Sequence, residues 1–261
     1  MADLHSILSR FANGSLTLSE VEREISIHAV EKIGEIAQLD VNREMRKGMP
    51  EIIFSENKEY RDIIRIALAA IRNNGQVVVS RIRKNEVSKV AAALRRKEMD
   101  VEIGRNSTTL LASDKSFGRK MINGASIGIM AAGTSDVGVA EEARLVAKAM
   151  ACYTITSYDI GIAGIHRLFP ALKEMMLQQV GAIVVVAGME GALASVVASM
   201  VDVPVIGVPT SVGYGFGGNG VAALASMLQS CTLGLAVMNI DNGVGAGAYA
   251  ATIAKRTAKK S

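Results

Sequence analysis

The segment 204–250, PVIGVPTSVGYGFGGNGVAALASMLQSCTLGLAVMNIDNGVGAGAYA, holds the residues best suited to chemistry. Gly213, Gly215, Gly217, Gly218 and Gly220 crowd nine positions between an apolar run at 203–208 and another at 221–229. Glycines let backbone amides close on phosphate oxygens, and the N-terminus of a following helix adds unpaired N–H donors. The functional reading is a cradle for a phosphate-bearing ligand; the structural reading is a plain flexible turn. Cys231 follows the second run. Its thiolate would be a nucleophile, but a helix C-terminus disfavours that form, so activation would need a cationic ligand or neighbour. By periodicity alone it reads more often as a small buried residue. Asp241-Asn242-Gly243 then closes the segment as an acidic turn.

Such residues need a sheet to hold them. From residue 125, apolar β-branched runs at 126–131, 153–157, 182–187, 203–208 and 233–240 alternate with helical stretches. This pattern predicts a parallel sheet covered on both faces, a doubly wound three-layer domain at 121–261. Ligands of such sheets bind beyond the carboxyl ends of the strands. Those ends carry Gly133 with Ser135 and Asp136, His166 with Arg167, Gly188 with Glu190, the glycine loop, and Asp241 with Asn242. Residues 1–120 read as a smaller α/β domain. It has helices at 3–12 and 19–36, capped by Thr17 or Ser19, and further helices at 61–72 and 85–97. A strand at 76–80 and strand-like segments near Val101 and at 108–112 complete it.

Charge is unevenly spread. Residues 1–120 hold 21 Lys/Arg against 17 Asp/Glu, while 121–250 hold only 4 basic against 8 acidic groups. An anion bound in the second domain must therefore borrow positive charge from backbone amides, from the first domain or from a divalent ion. Arg43, Arg46 and Lys47 lie in a loop suited to that task, and Arg81 after its strand is a second candidate. The sparse charge also suggests burial against further copies of the chain, a homo-oligomer. A pI near 9.1 invites nucleic acid, yet aromatic residues make up 4% and no basic patch is interleaved with them. No apolar run is long enough to span a bilayer. The cysteines Cys152 and Cys231 lack metal-type spacing, so a reducing cytoplasm is expected.

The motifs resemble a known family. GIMAAGTSDVGVAEEA is similar to the nucleotide loop of the phosphoribosylaminoimidazole carboxylases and mutases. REMRKGMPEIIF, GIAGIHRL, VVVAGMEGALASVV, PTSVGYGFGG and SCTLGLAVMNIDNGVGAG extend the likeness nearly end to end to the LarB family, pyridinium-3,5-biscarboxylic acid mononucleotide synthases of nickel-pincer cofactor biosynthesis. The purine enzymes carry a Gly-Gly-Ala-Ala-His element where this chain has Ala187-Gly188-Met189-Glu190-Gly191, and Cys231 has no use in their chemistry.

The resemblance implies carboxylation of nicotinic acid adenine dinucleotide by CO2 or bicarbonate, with hydrolysis of its phosphoanhydride to release AMP, without ATP. It implies Cys231 as nucleophile, Glu190 and Asp241 as proton carriers or ligands of Mg2+, and no organic cofactor. Contacts to the nucleotide would come from Gly133, Ser135, Asp136, His166, Arg167, Gly188, Gly213, Gly215, Gly217, Gly218 and Asn242, with Arg43 and Arg46 reaching in from the first domain. Cys152 is expected in the core. The expected assembly is a homo-oligomer, with an octamer as one candidate and the count left open. The competing readings are a purine-type carboxylase or mutase and a nucleotide-binding regulator without catalysis.

Overall fold

The computed structural model describes residues 4–26, 30–33, 36–40, 43, 47–118 and 121–258. The second half is the doubly wound domain that the alternation predicts. Its five strands are β7 (Ser126–Ala131), β8 (Tyr153–Tyr158), β9 (Ile183–Ala187), β10 (Val205–Pro209) and β11 (Leu235–Val237). All are parallel, in the order β11-β10-β9-β7-β8. Every residue of β9 and β10 is buried, because helices cover both faces of these central strands. The chain reverses direction between β7 and β9, which opens a crevice at their carboxyl ends. β11 is much shorter than the 233–240 run expected, since only three residues pair with β10 before the chain leaves the sheet.

The first half contributes a four-stranded mixed sheet, β3-β4-β6-β5, built from β3 (Ile52–Phe54), β4 (Gln76–Ser80), β5 (Met99–Ile103) and β6 (Leu110–Asp114). Helices α3 (Tyr60–Asn74) and α4 (Val87–Arg95) pack on it through Ile63, Ile66, Val90 and Leu94. At the start of the chain lie α1 (Leu4–Ala12) and α2 (Leu18–Ser26). Thr17 caps α2 in a reciprocal box: the Glu20 N–H donates to Thr17 Oγ1, and the Thr17 N–H and hydroxyl donate to Glu20. The helix expected to run to residue 36 does not do so. Val30–Ile33 is instead a strand, β1, paired antiparallel with β2 (Ala37–Asp40). The β-branched Val30 and Ile33 favour that outcome.

Helix α5 (Val137–Ala149) joins the two halves and is buried nearly all round. Ala140, Ala143, Ala147 and Ala149 keep it slim enough to lie between both sheets, and one core runs from Ile52, Val78 and Leu111 through α5 to β7 and β9. Two acids on it are buried and hydrogen-bonded. Glu142 accepts from the Ser80 and Thr109 hydroxyls of the first half, at 3.1 and 2.8 Å. Glu141 accepts from the Arg105 backbone at 3.0 Å, from Arg144 and from the Tyr158 hydroxyl. Gln76 donates to the Ala149 carbonyl at 2.8 Å, so this seam is polar, satisfied and specific. The last helix, α9 (Gly243–Ala258), lies against α5 at Gly243 and Gly247. A Cβ at either glycine would collide with the carbonyl of Val139 or Ala143.

Candidate active site

The crevice between β7 and β9 is organised by one buried acid. Asp136, 4% exposed, sits where the β7 loop enters α5. Its Oδ2 accepts the Gly133 N–H at 2.9 Å and its Oδ1 the Thr210 hydroxyl at 2.6 Å, while the Gly188 backbone also donates to it. Three loops, after β7, β9 and β10, are thereby pinned to a single carboxylate. Burial holds that carboxyl above the ordinary aspartate range against those three hydrogen bonds, and neighbouring Asp241 adds to the rise. Thr210 was not anticipated from sequence. The signal was its place directly after an apolar strand, at the edge where ligands bind.

The glycines serve this packing. A Cβ on Gly188 would strike the Val212 carbonyl and stand 2.7 Å from Thr210 Oγ1. Gly213 packs beside Met189, whose N–H donates to the Val212 carbonyl, so the β9 and β10 loops support each other. Gly215 and Gly220 take positive φ, at 75° and 79°. Residues 213–218, GYGFGG, have the spacing G-x-G-x-x-G, yet α8 (Val221–Leu228) begins only after Gly220. Residues 210–220 form a broad loop instead of the tight strand-to-helix turn that such spacing serves in dinucleotide folds. Tyr214 and Phe216 project fully into solvent from it.

At the same edge Asp241, with φ 56°, accepts the Ser211 N–H at 2.8 Å and donates its own N–H to the Pro209 carbonyl. Asn242 Oδ1 caps α9 through the Gly245 N–H at 2.8 Å. Ser135 and Glu190 are exposed on the loops after β7 and β9. His166 and Arg167 end a short 3-10 helix, Ile162–Arg167, beyond β8, where Arg167 pairs with Asp159 at 2.8 Å. These residues share the edge that the sequence indicated.

Two candidates do not. Cys231 follows α8, which has carried the chain back to the amino ends of the strands, and precedes β11; Gly234 lies opposite Val205, the first residue of β10. The cysteine is exposed, at the far end of its own sheet from Asp136. Cradle, thiol and acidic turn follow one another in sequence, but the thiol is set apart from the other two, because a parallel connection returns the chain before the next strand begins. Arg43 is half-buried and faces Glu51 at 3.9 Å, in a segment whose Gly48 carbonyl accepts from Lys255. Lys255 is in the last turn of α9, the end that packs beside Gly181 ahead of β9, so Gly48 lies away from the chain's own cradle. Arg46 lies outside the described residues. Cys152 is in the core: it donates to the Ala251 carbonyl, and burial pushes its thiol up to about 11.

For a magnesium ion the fit is partial. Among the described residues no group of three or more His, Cys, Asp or Glu side chains could hold a metal ion. Mg2+ needs only one or two carboxylates when phosphates supply the rest, and Asp241 is the acid placed for that role. Among the described residues no helix is long and apolar enough to cross a membrane.

Fold and site define a doubly wound α/β protein whose ligand edge is built from glycine loops around a buried carboxylate. Residues 126–261 match the AIR carboxylase family and residues 30–111 match the LarB/PurE-like N-terminal domain. The chain belongs to the AIR carboxylase family and has the LarB-like architecture, in which an extra domain precedes the carboxylase domain. It is also 45% identical over 256 residues to Uncharacterized protein MJ0165 of Methanocaldococcus jannaschii, covering 97% of both chains. This membership supports a carboxylase-type role.

Proposed function

We propose that the protein carboxylates nicotinic acid adenine dinucleotide at ring carbon 5 and hydrolyses its phosphoanhydride, giving pyridinium-3,5-biscarboxylic acid mononucleotide and AMP. The observation that carries this reading is the contrast between the two cysteines. Cys152 is buried with a raised thiol, whereas Cys231, in the SCTLGL segment of the LarB-like likeness, is exposed and available. A pyridinium ring is too electron-poor to attack CO2. Addition of the Cys231 thiolate gives a dihydropyridine whose carbon 5 has enamine character and takes up CO2. A carboxylate then accepts the ring proton, and departure of the thiolate restores aromaticity. Glu190 and Asp241 are the acids at the ligand edge for that proton. Water takes the phosphoanhydride apart. Mg2+ would neutralise the phosphates beside Asp241.

The cradle is fixed to Asp136 and the thiol is at the opposite edge, so the reading requires Cys231 to come from a second copy of the chain. Leu228 at 67% and Leu233 at 91% exposure flank the cysteine, an apolar collar suited to burial in a homo-oligomer. The Ala187–Gly191 element has no histidine, which favours this reaction over purine-type carboxylation. The test is mass spectrometry of products after incubation with nicotinic acid adenine dinucleotide, bicarbonate and Mg2+. The biscarboxylated mononucleotide plus AMP, lost in Cys231→Ser, is expected. Unchanged substrate with the wild-type protein would refute the reading.

A further inference from the structure

The carboxyl edge does not end at Asp241. A cleft of about 550 Å3 opens between Asp241 and the first domain, lined there by Asn57, Arg81, Arg83 and Thr108. A second cavity of about 440 Å3 continues from it, sharing Arg81 and Ile240 and reaching Phe54 and Asn242. Arg81 therefore stands between two spaces adjoining the candidate active site.

Several features of this wall are unusual for simple packing. Asn57, Arg81 and Asp241 all hold positive φ, at 64°, 57° and 56°. Glycine or asparagine would suit position 81 better, so the sequence keeps a guanidinium there at a conformational cost. Phe54 is 48% exposed in a chain with only 5 Phe. Ser55 beside it is buried, and its hydroxyl has no hydrogen-bond partner among the described residues. The carboxylase domain has little charge to offer a phosphate. Of the four cations in 121–250, Arg144 and Lys148 pair with Glu102 and Arg167 pairs with Asp159. Arg81 pairs with Glu56 at 3.3 Å, an exposed pair that a phosphate can displace, and also feels the charge of Glu142.

We propose that this cleft seats the adenosine 5′-phosphate half of the dinucleotide, with Arg81 as its phosphate anchor and the ring of Phe54 as the platform for adenine. The inference rests on the reading above. It places the pyridine half over the cradle and the adenylate half across the domain seam, with the phosphoanhydride beside Asp241. Arg83 adds a second positive charge to the cleft. Glu56, released by Arg81, can accept from the ribose hydroxyls.

The test is titration calorimetry with AMP, which carries no pyridine, on wild type, Cys231→Ser, Arg81→Ala, Arg81→Lys and Phe54→Ala, with adenosine as the phosphate-free control. Wild type and Cys231→Ser should bind AMP alike. Arg81→Ala should weaken AMP about tenfold or more, the loss of a charge-assisted contact, and leave adenosine unchanged. Arg81→Lys should keep part of the affinity, and Phe54→Ala should weaken both ligands. Equal AMP affinity in Arg81→Ala and wild type would overturn the proposal. Product formation from the dinucleotide separates the two readings. Turnover without AMP uptake removes the subsite and keeps the carboxylase; Arg81-dependent AMP uptake without turnover keeps the subsite and removes the carboxylase.

Discussion

Cys231 and Asp136 should complement each other between copies of the chain. Leu235 pairs with Val205 at the start of β10, and the Asp241 N–H reaches the Pro209 carbonyl at its end. Four residue steps of β10 separate those points, roughly 13 Å at about 3.3 Å per residue. Cys231 lies before Leu235, further still from the cradle. A cysteine side chain of two heavy atoms cannot cross that distance to bond a ring held at Asp136. Consider Cys231→Ser, which keeps the cradle, and Asp136→Asn, which keeps the thiol but turns an amide N–H2 towards the Gly133 N–H or the Thr210 hydroxyl. Each alone should be inactive. In randomly mixed assemblies a site works when its cradle comes from the first variant and its thiol from the second, about one quarter of all sites. Co-expression with two affinity tags, tandem purification and an assay of AMP release should thus give about 25% of wild-type activity per site. Mixed assemblies, verified by native mass spectrometry, that stay as inactive as their parents would refute the reasoning and return the thiol to its own chain's cradle.

Two further predictions concern the buried seam and the loop packing. Burial raises the Glu142 carboxyl above its ordinary value of 4.5, against the hydrogen bonds from Thr109 and Ser80. A raised folded-state pKa gives stability that is fully present below that ordinary value and is lost as pH rises through the folded one. Glu142 should therefore pull the melting temperature of the wild type down as pH increases from the ordinary glutamate range towards neutrality. Glu142→Gln, which the rotatable Ser80 and Thr109 hydroxyls can still satisfy, should flatten that decline; an unchanged slope in calorimetric scans from pH 4 to 8 would sink the assignment. Gly188→Ala forces a methyl group against the Val212 carbonyl and Thr210 Oγ1, which should cost about 1–3 kcal/mol in urea unfolding. AMP release should fall as well, since the same shift loosens the cradle; full activity and stability would show that the loop yields freely.

Much of the carboxylase domain was legible in the sequence because its signals are local. Runs such as IVVVA at β9 are apolar on both faces only if both faces are covered, which dictates a parallel sheet with helices on each side. The glycines and acids following such runs must then lie at one edge, and Asp136, Gly188 and Asp241 do. The residues 27–36 were harder: an amphipathic helix precedes them, and only pairing with Ala37–Asp40 turns Val30–Ile33 into a strand. Periodicity cannot announce a partner.

By itself the sequence determined the layers, the ligand edge and the chemical types gathered there, since burial pattern and glycine placement are properties of neighbouring residues. Only the tertiary structure decided which of them meet. The bond from Thr210 to Asp136 joins positions 74 residues apart, and Glu142 finds its hydroxyls 33 and 62 residues away in another domain. Contacts at such separations depend on strand order and helix packing, which no local pattern encodes. The same holds for Cys231: neighbouring Asp241 in sequence, it is kept from it by the length of a strand, and a helix returning to the sheet's amino edge is the physical reason.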